Sequence, residues 1–165
     1  MYTQTWDTEA EAWVDLLKEG QARAYVTLSE TEEAYTVHML QRFIVDKEFT
    51  RTTLALGYLE NQTEGNAKKY RNLWHTADAG LLMAGLFPER ARKKNVPVSY
   101  LRGMSQICFL SLAQLCDRIK RPLEAKEYRE IAAGVERVAC VLYCSRRKNS
   151  TVHELLQLPI GGSLH

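Results

Sequence analysis

Few of the usual signatures of chemistry occur in these 165 residues. The chain has no Cys-x-x-Cys pair and no His-x-x-x-His pair. Glu-x-x-His is absent around His38, His75, His153 and His165, and Glu154 follows His153 rather than preceding it. That excludes the paired Glu-x-x-His pattern of ferritin-like metal bundles. The Gly161-Gly162 pair has no strand before it and no helix after it, so no phosphate-cradling loop is expected. No serine sits in a nucleophile elbow, which removes the common hydrolase arrangement. No apolar run approaches membrane-spanning length. The opening residues YTQTWDTEAEAW are polar and acidic, unlike a secretory leader. No cofactor and no metal are expected, and no reaction is assigned.

Cysteine is scarce. Cys108 and Cys116 are eight apart and share a helix face, while Cys140 and Cys144 are four apart on another helix. Structural zinc sites use tighter loops, so packed free thiols are expected. Reduced cysteines and the absence of a leader together predict a cytoplasmic protein.

What the chain has is a helical apolar pattern and a separation of charge. The length suits one domain with its own hydrophobic core. The expectation is a single helical domain over 1–158 and a loose tail over 159–165. Net charge is only +2, but residues 1–60 hold 11 acids and 5 bases, while residues 61–165 hold 9 acids and 17 bases. Opposite poles of this kind suit association with a partner or with a second copy.

Asp7 or Thr8 is placed to cap a first helix carrying Trp13, Leu16, Leu17 and Tyr25 on its apolar side, with Gly20 weakening or breaking it. Ser29 followed by Glu32 is a capping box. The helix after it shows Ala34, Val37, Leu40, Gln41 and Ile44 at helical spacing, flanked by Tyr35, Met39 and Phe43. Residues 48–59 read as helix, because no partner strand is evident. NQTEGN over 61–66 is a polar turn. A central helix is expected from Ala67 to Leu86, with Gly80 and Gly85 admitting a close neighbour and Pro88 stopping it. Ser99 is placed to cap the next helix, striped by Leu101, Met104, Cys108, Leu112, Leu115 and Ile119 and ended by Pro122. One last long helix runs from Leu123 or Glu124 to Tyr143, with Tyr128, Ile131, Val135, Val138 and Leu142 inward. A short helical piece is expected over 151–158. The fold class is therefore all-α: a single-domain bundle or orthogonal array of five to seven helices.

Asp78 is the best site candidate. It shares a helix face with Trp74, Leu81 and Leu82, so its carboxylate must be paired or protonated. His75 precedes it by three residues and can reach it. Arg42, Tyr70, Tyr100 and Arg102 are further possible partners. Trp74, His75, Asp78 and Tyr100 thus form a candidate pocket or buried polar cluster. Basic runs occur at 68–71, 90–94, 118–121 and 146–148. Those at 118–121 and 146–148 follow long helices, where the helix dipole favours cations. Arg90, Arg92, Lys93 and Lys94 lie in a connector, so they are the candidate contact for an acidic surface, a phosphate or nucleic acid. The connector has no interleaved aromatics, and its length does not suit a helix-turn-helix.

The segment from Asp78 to Ala113 resembles a group of small bacterial helical proteins. The matching residues are Asp78, Leu81, Gly85, Leu86, Phe87, Pro88, Glu89, Arg90, Tyr100, Gly103, Leu112 and Ala113, in a segment that covers about a fifth of the chain. Group members often have Gly before the Asp, where this chain has Ala77. The resemblance implies an all-helical fold and brings no chemistry. It also implies a joint role for Asp78 and the Phe87–Arg90 turn, with Tyr100 close enough to donate to Asp78.

Three function classes follow. The first is a non-enzymatic interaction or regulatory module with a protein partner, self-associating as a homo-oligomer. The second is a small-molecule binder or enzyme using the Trp74, His75, Asp78 and Tyr100 pocket. The third is nucleic-acid binding through Arg90–Lys94. A closed, paired Asp78 cluster favours the first. A cavity of about 300 Å³ or more with converging polar groups favours the second.

Overall fold

Apolar residues recurring every three or four positions build helices throughout. The computed structural model describes residues 2–56 and 66–146, with side chains for 9–56 and 68–146, and those residues contain eight helices and no strand. They are α1 (Tyr2–Ala24), α2 (Glu30–Val45), α3 (Lys47–Leu54), α4 (Asn66–Leu86), α5 (Pro88–Lys93), α6 (Val98–Arg118), α7 (Pro122–Ala133) and α8 (Val135–Cys144). The protein is an all-α helical bundle. Most of the 61–66 turn, the 151–158 helix, the 159–165 tail, Arg147, Lys148, His153 and His165 lie outside the described residues. No described helix is long and apolar enough to cross a membrane.

Helix α4 is the centre. From Thr76 to Leu86 nearly every side chain is buried, because α3, α5, α6 and α8 all pack on it. Helix α6 runs antiparallel to α4: Gly80 meets Leu101 and Ser105, and the Ser105 hydroxyl donates to the Ala77 carbonyl at 2.7 Å. Helix α8 crosses at Gly85, where an added Cβ would lie 2.7 Å from the Cβ of Leu142. Both glycines therefore serve close helix approach. Gly20 does the same and does not break α1: a methyl there would overlap Ser145 Oγ and crowd the Val141 carbonyl of α8.

Local chemistry sets most helix boundaries. Ser29 forms the capping box, accepting from Glu32 N–H at 3.1 Å while the Glu32 carboxylate accepts from Ser29 N–H at 3.1 Å. Such a cap stabilises a helix by about 1 kcal/mol. Asp46 caps α3 by accepting from Phe49 N–H. Helices α1, α5 and α6 end in left-handed non-glycine residues, Tyr25, Asn95 and Lys120. In each case the next N–H bonds back five residues, to Gln21, Ala91 and Cys116 respectively. That is the Schellman pattern usually made with glycine.

Several expected features are corrected. Asp7 and Thr8 lie inside α1, which is already helical at Tyr2. Tyr25 is fully outside the core, because it occupies the left-handed position after α1. Helix α2 buries Val37 and Leu40 as expected, but also Glu32, Thr36, Met39 and Phe43, and it exposes Ala34, so its inner face is wider than expected and shifted to one side. The 89–97 connector is not a loop throughout: Pro88 opens the short helix α5 at its first position. Ser99 does not cap α6, which starts at Val98 behind Pro97. On α6, Leu101, Cys108 and Leu112 are buried and Met104 and Leu115 half-buried as expected, but Ile119 is exposed, and Phe109, outside the expected stripe, is fully buried. The last helix is two helices, broken at Gly134. The Glu32 carboxylate occupies the space a side chain at 134 would need, and Arg137 donates to it at 3.2 Å. Cys108 and Cys116 are buried, Cys140 is exposed and Cys144 is half-buried; all four are free.

Candidate functional site

The Asp78 cluster is built by α2 and α4. Tyr35 and Arg42 are seven residues apart, two turns of α2, so their polar ends reach one point on α4. Asp78 is 0 % exposed. The Tyr35 hydroxyl donates to its Oδ1 at 2.6 Å, and the Arg42 guanidinium forms an ion pair with Oδ2. Trp74 Nε1–H donates to the Tyr35 oxygen at 3.2 Å. The Arg42 guanidinium also lies 3.8 Å from the Trp74 ring centroid and 4.9 Å from that of Phe49. Aromatic faces hold such a cation by their quadrupoles.

Burial and the neighbouring Tyr128 hold the Tyr35 hydroxyl well above its ordinary titration range, so it stays a donor. Burial lowers the Arg42 pKa, with Tyr35, Tyr128 and Asp46 opposing the shift. An arginine remains charged even so. Phe109 and Tyr128 close the cluster from α6 and α7, at 5.5 and 6.4 Å from the Tyr35 ring. Tyr70 pairs with Tyr128, hydroxyl to hydroxyl, at 2.9 Å.

The sequence-derived candidates fall on two sides of α4. Asp78 belongs to the closed cluster, and Trp74 joins that cluster through Tyr35 while also lining the cleft beside it. His75 turns to an open cleft between α2, α3 and α4, with its ring 5.2 Å from Phe49. Tyr100 lies in the first turn of α6, more than half exposed, on the rim of a different groove between α4 and α6. It makes no hydrogen bond to Asp78, whose two oxygens are taken by Tyr35 and Arg42. Tyr35 was missed in the sequence. Its seven-residue spacing from Arg42 was the available signal.

The cleft has a volume of about 510 Å³ and is lined by Arg42, Asp46, Phe49, Thr53, His75 and others, but not by Asp78. Burial lowers the His75 pKa, and Arg42 and Arg71 lower it further against an opposing effect of Asp46. The imidazole is therefore neutral at pH 7. The α4–α6 groove, about 630 Å³, is lined by Leu73, Tyr100, Gly103, Met104, Ile107 and Cys108, among others, and its one charged lining residue is Lys69. Burial pushes the Cys108 thiol up to about 11, so it is not a nucleophile at neutral pH.

In the basic connector, Arg90 is tied down, donating from Nε to the Leu54 carbonyl at 2.9 Å. Arg92, Lys93 and Lys94 are exposed on and just after the last turn of α5. A helix C-terminus favours cations, which gives these charges a structural reason. Among the described residues no three His, Cys, Asp or Glu side chains converge as a metal site. Comparison with protein-family models, curated proteins and solved structures found no match.

Proposed function

We propose that this protein is a non-enzymatic interaction domain that self-associates through the exposed face of α6. The observation that carries the reading is an apolar stripe that no described element covers. Tyr100, Gly103, Ile107 and Leu110 repeat at three and four along one side of α6, with the polar Gln114 at its far end. Tyr100, Ile107 and Leu110 are 52, 65 and 43 % exposed. Scattered apolar residues on a surface are ordinary, but a continuous helical stripe beside an apolar groove marks a contact surface.

A second copy of the chain fits this stripe by its own symmetry. Ile107 sits at its midpoint. An antiparallel pairing about Ile107 brings Leu110 of one copy over Gly103 of the other, where an added Cβ would meet nothing within 4 Å. A two-fold contact requires such self-complementarity. The apolar stripe from Tyr100 to Leu110 is about 15 Å long at the helical rise. That is less than a permanent interface, so a dissociation constant of about 1–100 μM is expected. The chemistry of the Asp78 cluster agrees with a scaffold role, since its carboxylate is paired and shut away from solvent.

Sedimentation equilibrium across roughly 1–300 μM tests the reading. The wild type should pass from monomer to dimer, and Ile107→Glu should remain a monomer with an unchanged circular dichroism spectrum. A wild type that stays monomeric throughout, or an Ile107→Glu variant that dimerises equally, overturns it.

A further inference from the structure

We propose that Cys140 and Cys144 on α8 form a two-thiolate site for a monovalent copper ion. Cysteine is usually a core residue, and Cys108 and Cys116 are buried in that way. The α8 pair is not. Its helix buries Val138, Ala139, Val141 and Leu142, which leaves Cys140 exposed and Cys144 half-buried on the outer edge. Core packing therefore gives no reason for a thiol at 140. The two residues are four apart in one unbroken helix, so they are stacked neighbours with Cβ atoms about 5–6 Å apart. The thiols already sense each other: burial and the neighbouring Cys140 raise the Cys144 thiol above its ordinary range, while Arg23 opposes the shift.

The donor set selects the ion. Two sulfurs are soft ligands, and among the described residues no third His, Cys, Asp or Glu side chain joins them. Structural zinc takes four ligands, and calcium and magnesium take six or more oxygens. Monovalent copper is soft and is satisfied by two thiolates in line. Thiolate–metal bonds are about 2.3 Å, so two in line separate the sulfurs by about 4.6 Å, which stacked cysteines reach by rotation about χ1. Binding replaces two S–H bonds by two Cu–S bonds and releases two protons, with no change of oxidation state. The product carries one negative charge. Arg23 is the cation beside it, donating to the Cys144 carbonyl at 2.8 Å. The site uses no residue of the α6 stripe, so copper binding and self-association are independent.

The experiment is a titration of the reduced full chain with Cu(I) under nitrogen, in competition with the chromophoric chelator bicinchoninate. The wild type should saturate at one copper per chain. X-ray absorption of the loaded protein should show two sulfur neighbours and no nitrogen or oxygen. Cys140→Ser, at an exposed position, should keep the wild-type circular dichroism spectrum and bind copper roughly 100-fold more weakly or worse, since losing even an outer partner of a ligand costs up to that much. Cys144→Ser removes the other sulfur and should weaken copper to the same extent. Equimolar zinc should leave the bound copper in place. Saturation at one copper per two chains, a third ligand in the X-ray absorption spectrum, or either serine variant holding copper as tightly as the wild type overturns the proposal. So does displacement of the copper by equimolar zinc.

Discussion

Replacing Asp78 by Leu should be among the most damaging single changes in the molecule. The carboxylate is 0 % exposed and answers the Arg42 guanidinium, itself pressed against the Trp74 and Phe49 rings. Removing it leaves a largely desolvated cation without a counter-ion and the Tyr35 hydroxyl without its acceptor. Breaking a buried pair costs about 3–5 kcal/mol. The Arg42 side chain keeps 21 % exposure and can partly turn to water, which puts the expected cost near the lower end, about 3 kcal/mol. Arg42→Met should cost a similar amount, because it strands the carboxylate. The double variant joins two apolar side chains and should cost only about 1–2 kcal/mol, a coupling of about 4 kcal/mol. Urea unfolding followed by far-ultraviolet circular dichroism measures all three, and a loss of 3 kcal/mol lowers Tm by about 6–12 °C. Single variants costing less than about 1 kcal/mol, or a double variant equal to their sum within about 0.5 kcal/mol, would refute the paired-cluster account.

The close helix contacts give a second set of tests. Gly134→Ala should cost about 1–3 kcal/mol by driving Glu32 off Arg137, whereas Gly103→Ala, with open space around it, should stabilise the isolated chain by up to about 1 kcal/mol; thermal melts of dilute protein distinguish them. Lys120→Gly relieves a left-handed residue at φ 60 and should add about 0.5–1 kcal/mol, read as a higher urea midpoint. Arg146 reaches Glu89 through two bonds of 2.8 and 2.9 Å and the Leu86 carbonyl at 3.0 Å. Arg146→Lys loses this fork and should cost about 1 kcal/mol, less at high salt. The folded His75 pKa is lowered from 6.5, so the unfolded chain binds the proton more readily and stability must fall as pH drops through 6.5 towards the folded value. His75→Gln should flatten that part of the pH profile, and an unchanged profile would contradict the assignment.

The sequence was informative where one residue type and one spacing set the structure. The Ser29–Glu32 box, the close approaches at Gly80 and Gly85, and the central burial of α4 follow from short-range rules. The break at Gly134 was not legible. Residues 122–143 keep a helical rhythm across it, and the cause is the Glu32 carboxylate arriving from α2, a hundred residues earlier. The widened inner face of α2 has the same origin: Glu32 and Thr36 are buried because Arg137 and a backbone carbonyl satisfy them. Asp78 could be recognised as a residue in need of a partner. Its choice of Tyr35 and Arg42 over Tyr100 depends on which side of α4 each helix packs. Periodicity along one helix does not carry that information. The cleft was invisible for a similar reason, since its lining comes from three helices.

Self-association through α6 is tested most directly by asking what Ile107 touches in solution. A sample mixed from isotope-labelled and unlabelled chains, at a concentration where dimer predominates, restricts observed nuclear Overhauser effects to those between copies. The account predicts contacts from the Ile107 methyl groups to the Ile107, Gly103 and Leu110 protons of the other copy. A dimer whose intermolecular contacts lie elsewhere, or a sample with none, would contradict it.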